Sequence, residues 1–162
     1  MRRQHHHGGY GGIDAFDKLY GNAIGDKLDL AREMNGADAE IKVLSALRDN
    51  LRAYGRTKDI FTQYRALPEK QQPKYYTEHK ADIDTHRAAK KTLSGMKQPV
   101  PTAKTVTAEI DRLRASRSDA DANYKRNEAK LKEMEIIRKN LYSIICQSKS
   151  RNQSKHNDLD LS

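Results

Sequence analysis

The sequence has no tryptophan, two phenylalanines (Phe16 and Phe61) and one cysteine. With so few large aromatics, 36% apolar residues against 33% charged ones and a mean hydropathy of −0.97, a large globular core is excluded. A lone cysteine forms no internal disulfide, which fits a reducing cytoplasm. Cys146 also falls one residue after an apolar seam position, where it reads as an ordinary helix residue. No apolar run approaches the ~18 residues of a membrane span. Arg2 and Arg3 are followed by His5, His6 and His7, where a secretory leader needs an apolar segment. The expectation is a soluble, cytoplasmic protein with no membrane partner. Glycine is nearly absent beyond residue 36, since seven of the nine lie at or before it. A P-loop, a dinucleotide-binding turn and a nucleophile elbow are all missing.

What the chain does contain is a row of apolar residues in alternating steps of four and three: Val106, Ile110, Leu113, Arg117, Ala120, Tyr124, Asn127, Leu131, Met134, Arg138, Leu141 and Ile145. Nine of the twelve are apolar, and the spacing persists through six heptads without a slip. A strand would alternate every second residue. No glycine or proline interrupts the run after Pro101, and Thr102 or Thr105 is suited to cap it. The spacing predicts one helix over 102–146, about 65 Å long at 1.5 Å per residue. Such a seam needs a partner in water.

Three further segments complete the organisation. The first dozen residues read as a flexible arm, and 1–36 as a glycine-rich region with at most a short helix through Phe16, Leu19, Tyr20, Ile24, Leu28 and Leu30. From Ala37, Leu44, Leu47, Leu51, Tyr54, Lys58 and Phe61 follow the heptad, with Ile41, Ile60 and Tyr64 widening the stripe. They predict a helix over 37–66, with Gly55 marking a kink or the close approach of a neighbour. Pro68 and Pro73 bracket a connector, and a shorter helix is expected over 74–94, ended by Gly95 in a left-handed cap. Residues 148–162 read as a disordered polar tail. The fold predicted is all-α: an elongated antiparallel helical hairpin or coiled coil over 37–147, with a shorter bridging helix. Against the ~44-residue helix the 37–66 helix falls short by roughly 20 Å. That overhang would fray, form a homodimer or meet another partner. Arg117, Asn127 and Arg138 either fix register in the seam or reach out where the partner helix has ended.

The search for chemistry yields no catalytic residue, metal site or cofactor. His5–His7 lack a surrounding strand pattern and read as a solvated run. His79, Asp82 and His86 share a helical face, but two histidines almost two turns apart, about 10.5 Å, cannot easily ligate one ion. Packing of the two rings at a half-buried seam is the better reading. The net charge of +9 lies wholly beyond residue 36, because 1–36 hold five charges of each sign. A basic excess attracts phosphate backbones without sequence preference, and also serves solubility alone. The candidate DNA-contacting residues are Arg48, Arg52, Arg56, Lys58 and Arg65, then Arg87, Lys90 and Lys91, then Arg112, Arg114, Lys125, Arg126, Lys130 and Lys132.

The segment Tyr54-Gly-Arg-Thr-Lys-Asp-Ile-Phe-Thr-Gln-Tyr64-Arg, followed by Tyr76-Thr-Glu-His79-Lys-Ala-Asp-Ile83-Asp-Thr-His86-Arg-Ala-Ala-Lys-Lys91, resembles the helical C-terminal region of relaxase/mobilization nuclease proteins. These belong to conjugative and mobilizable elements of Gram-positive gut-type bacteria. The likeness continues through Pro101-Thr102, Tyr124-Lys-Arg and the stretch from Met134 to Leu141, spanning roughly 38–146. In that family an N-terminal nuclease domain, with a catalytic tyrosine and a three-histidine metal site, nicks DNA at a transfer origin. The 36 glycine-rich residues here cannot hold its sheet. The resemblance therefore implies a non-catalytic tail, not an enzyme, that contacts DNA, other DNA-transfer proteins or a separate relaxase nuclease domain. The competing expectation is a coiled-coil interaction module whose charges only solvate its faces.

Overall fold

The structure, a computed structural model, describes residues 11–159. It is all-α among the described residues, with α1 over Gly11–Ala66, α2 over Gln72–Glu78, α3 over Lys80–Ser94 and α4 over Ala103–Leu159. The residues form two compact units. One joins 11–34 of α1 to 119–159 of α4, and the other is Asn35–Ser118, holding parts of α1 and α4 together with all of α2 and α3.

Helix α4 forms as its heptad requires. Thr102 Oγ1 accepts from the Thr105 amide at 3.1 Å, satisfying one of the free donors of the first turn. All twelve seam residues from Val106 to Ile145 are buried or half-buried, while Asp111, Arg114, Lys125, Lys132 and Lys139 between them are exposed.

Helix α1 differs from expectation in its first half. Residues 11–36 are not an arm with a short helix; they are helical throughout and continuous with the predicted 37–66 segment. The physical reason is a second heptad that the glycines disguise: Ile13, Phe16, Tyr20, Ala23, Lys27, Leu30, Met34, Ala37, Ile41, Leu44, Arg48 and Leu51 are all buried or half-buried. Packing of that stripe outweighs the ~1 kcal/mol that each helical glycine costs relative to alanine. Leu19 and Leu28, by contrast, are exposed. The pairs Asp17–Arg138 and Lys27–Glu128 set Gly11 about level with residue 144, so α4 still runs past the described start of α1 over 145–159. His5–His7 and the rest of 1–10 lie outside the described residues. Of the expected tail, 148–159 continue α4 as helix.

In the two-helix unit α1 and α4 run antiparallel. Arg138 Nε donates to Asp17 Oδ1 at 2.8 Å and Lys27 Nζ to Glu128 Oε1 at 3.2 Å, so numbers rising along α1 meet numbers falling along α4. Tyr142 Oη also donates to Asp17 Oδ2 at 2.7 Å. That bond first, and Arg138 second, hold the Asp17 carboxyl below its ordinary range. The polar seam residues thus do not reach past the end of a partner. Arg138 crosses to α1 here, and in the four-helix unit Arg117 Nε crosses to Asp38 Oδ1 at 2.6 Å.

The four-helix unit carries most of the dry core. Ile83 and Ile110 are fully buried, with Ala89, Leu93, Val106 and Leu113 around them. The expected helix over 74–94 is interrupted at His79, whose φ of −120° and ψ of 25° leave the helical region between α2 and α3. Leu67 O accepts from Gln72 Nε2 at 3.0 Å across the proline-bounded connector. Gly95 ends α3 at φ −78°, not in the left-handed conformation. The Gln98–Pro99 peptide in the link to α4 is cis. Gly55 neither accompanies a break in α1 nor lets a neighbour approach, because a Cβ there would meet nothing within 4 Å.

The same open space surrounds Gly36. Gly36→Ala and Gly55→Ala should each stabilise the chain by about 0.5–1 kcal/mol, read as a higher urea midpoint. Ile110→Ala, emptying a fully buried site, should lower stability by about 2–5 kcal/mol in the same titration.

Candidate functional site

The candidate basic residues divide between the two units. Arg48, Arg52, Arg56, Lys58, Arg65, Arg87, Lys90, Lys91, Arg112 and Arg114 fall in the four-helix unit, and Lys125, Arg126, Lys130 and Lys132 in the two-helix unit. The charge divides unevenly as well. Asn35–Ser118 contains 17 Lys and Arg against 10 Asp and Glu, while the remainder of the chain has 14 against 12. The excess therefore belongs mainly to the four-helix unit.

Within that unit the cations differ in how far they are already engaged. Arg112 pairs with Glu109 three residues earlier, Arg114 with Asp111, and Arg48 with Asp49. Arg52, Arg56, Lys58, Arg65, Lys90 and Lys91 are exposed and make no ion pair with any described residue. Arg48, Arg52 and Arg56 recur every four residues, a spacing that keeps them on one stripe of α1. Lys58 and Arg65, seven apart, occupy a flank of the same helix.

Arg87 is engaged within the unit itself. Its guanidinium lies 5.5 Å from the ring centres of both Tyr64 on α1 and Tyr76 on α2, and its Nη2 donates to Tyr64 Oη at 3.4 Å. Tyr76 Oη in turn donates to Asp84 Oδ1 at 2.9 Å. One α3 arginine thereby ties three helices together, through cation–π attractions of about 0.5–1 kcal/mol each at exposed positions.

The histidines separate. His79 lies against Tyr75, ring centres 4.2 Å apart, at the break between α2 and α3. His86 is 3% exposed and sandwiched between Tyr54 at 4.5 Å and Phe61 at 4.3 Å, with nearly parallel planes. Among the described residues, no three His, Cys, Asp or Glu side chains are grouped to share a metal ion. The sequence reading missed Thr57, assigning the seam position to exposed Lys58 beside it. Thr57 is fully buried and donates to Ala53 O at 2.7 Å. With its proton so engaged, its oxygen accepts from His86 Nδ1 at 3.0 Å. A Thr one step off an apolar series, facing a histidine row, was the available signal.

Beside the sandwich, Leu51, Tyr54, Leu93 and Val100 line a hollow of about 270 Å³ with Lys90 in its wall. That is smaller than most small-molecule sites. No helix among the described residues is long and apolar enough to cross a membrane. Comparison of the chain with protein families, curated proteins and solved structures gives no match.

Burial, and secondarily the charge of Lys90, push the His86 pKa below its ordinary 6.5. Because the folded chain disfavours the charged ring, the unfolded chain binds the proton first. The stability held by a neutral His86 is complete above about pH 6.5 and is lost as pH falls through the folded-state value. The thermal midpoint should therefore drop between about pH 7.5 and 5.5. His86→Phe, which keeps a ring between Tyr54 and Phe61, should flatten that drop.

Proposed function

We propose that the chain is a non-catalytic helical segment of a relaxase-type mobilization protein, acting in plasmid or transposon DNA transfer by contacting the DNA backbone. The observation that supports this reading is the set of exposed cations on Asn35–Ser118 that no acid of the described chain neutralises, headed by Arg52 and Arg56. Unpaired guanidiniums and ammoniums in a region of net positive charge release counterions when phosphates replace them. They confer affinity without reading bases. The likeness of 54–65 and 76–91 to relaxase tails covers the same unit, and its partners would include a separate relaxase nuclease domain or other transfer proteins.

A second reading, a coiled-coil interaction module with no nucleic-acid role, is favoured by a different observation. Seven of the eight large apolar residues exposed among the described ones lie in the two-helix unit, away from the charge excess.

Fluorescence anisotropy with a labelled duplex separates the two. Under the first reading affinity falls steeply with salt, and Arg52→Gln/Arg56→Gln lowers the log–log slope by about 2. Binding that ignores salt, or no binding at low salt, favours the interaction module.

A further inference from the structure

The two-helix unit has little interior of its own: Ala23, Ala120 and Met134 are the buried apolar residues among its described ones. Two helices form a single layer, and a stable domain buries one layer against another. One face of this unit is open between its two helices.

That face is defined by a hollow of about 560 Å³ between the helices, with Asp26, Asp29 and Glu33 of α1 along one side and Arg126 and Lys130 of α4 along the other. Asp26, Glu33 and Lys130 make no ion pair with any described residue. Asn127 Oδ1 is buried in the same wall and has no hydrogen-bond partner among the described residues. A shift of seven residues preserves the face of a heptad helix. Leu19, seven before Asp26, and Ile137, seven after Lys130, therefore extend the hollow along the unit, and they are 60% and 47% exposed.

The register makes these rows self-complementary. The pairs Asp17–Arg138 and Lys27–Glu128 place residue i of α1 level with a residue numbered about 155 − i of α4. Leu19 is thus level with Ile137, Asp26 with Lys130 and Asp29 with Arg126.

We infer that this face binds a second copy of the chain about a two-fold axis parallel to the helices, giving a four-helix bundle in which α1 of each copy lies on α4 of the other. Under that operation every level pair meets its complement twice: Asp26 faces Lys130 of the second copy, Asp29 faces Arg126 and Leu19 faces Ile137. The other in-plane two-fold, perpendicular to the helices, lays α1 on α1 and sets Asp26, Asp29 and Glu33 against their own copies, which like charge opposes. The charge pattern therefore selects the occupant and its orientation together. This surface uses Arg126 and Lys130 from the candidate basic residues, but none of the exposed cations of Asn35–Ser118 on which the DNA reading rests.

The test uses the full chain in sedimentation velocity, with circular dichroism to verify helix content. The wild type should sediment as a dimer at tens of micromolar. Asp26→Lys and Lys130→Glu should each raise the dissociation constant at least about tenfold, and the double variant should restore it. Orientation is read by cross-linking in a Cys146→Ser background. Copies carrying Leu19→Cys should couple to copies carrying Ile137→Cys, and not to each other. A monomeric wild type, a dimer indifferent to both single charge reversals, or coupling of Leu19→Cys copies among themselves would overturn the inference.

Discussion

Helix α4 presents an apolar row every three and four residues over more than 40 Å, and water penalises that row wherever it is uncovered. Covering it is the constraint from which the remaining architecture follows. Helix α1 must run the opposite way and must keep its own apolar row in phase. It does so even where its sequence is poor in helix formers, because a row packed on a partner is worth more than local propensity. A cross-helix pair in each unit, Arg138–Asp17 in one and Arg117–Asp38 in the other, then holds the phase, since a slip of one turn would separate it.

The same covering is achieved differently in the two units. In Asn35–Ser118, α2 and α3 add a second layer, and Ile83, His86, Ala89 and Leu93 close over α1 and α4 residues to make a dry interior. The buried Thr57–His86 bond and the Arg87 clasp on Tyr64 and Tyr76 specify how that layer sits. Where α2 and α3 are absent, only one layer exists and the apolar flanks remain in solvent. Charge is distributed in the opposite sense, with its excess on the closed unit. The charge excess and most of the exposed large apolar residues are thus kept on separate parts of one chain.

How far the sequence revealed this depended on which signal stood alone. The α4 row was read residue by residue, from Val106 to Ile145, because nothing in 102–146 competes with it. Thr102 as a cap was legible for the same reason. The first half of α1 was obscured: Gly21, Gly25 and Gly36 suggest a loop, and the true row through Ile13, Tyr20, Ala23 and Lys27 contains a small residue and a charged one. The break at His79 left no mark because Lys74 to Ser94 contains neither glycine nor proline. At the candidate site, ten of the fourteen basic residues lie in one unit, but composition did not separate the solvated Arg52 from Arg87, whose charge is shared between two tyrosine rings. Thr57 was hidden by Lys58, which occupies the arithmetically correct position.

The glycines of α1 also bear on the dynamics of the chain. Gly21, Gly25 and Gly36 each have open space around them and regain much freedom when the backbone unwinds. Sub-global opening should therefore begin in the first half of α1, where backbone amides exchange with solvent hydrogen soonest, while Ile83, His86 and Ile110 keep their surroundings closed. The stretch that is easiest to unzip is also one with unsated apolar flanks. Any partner settling there would act as a latch, lending order to the stretch that holds the least of its own.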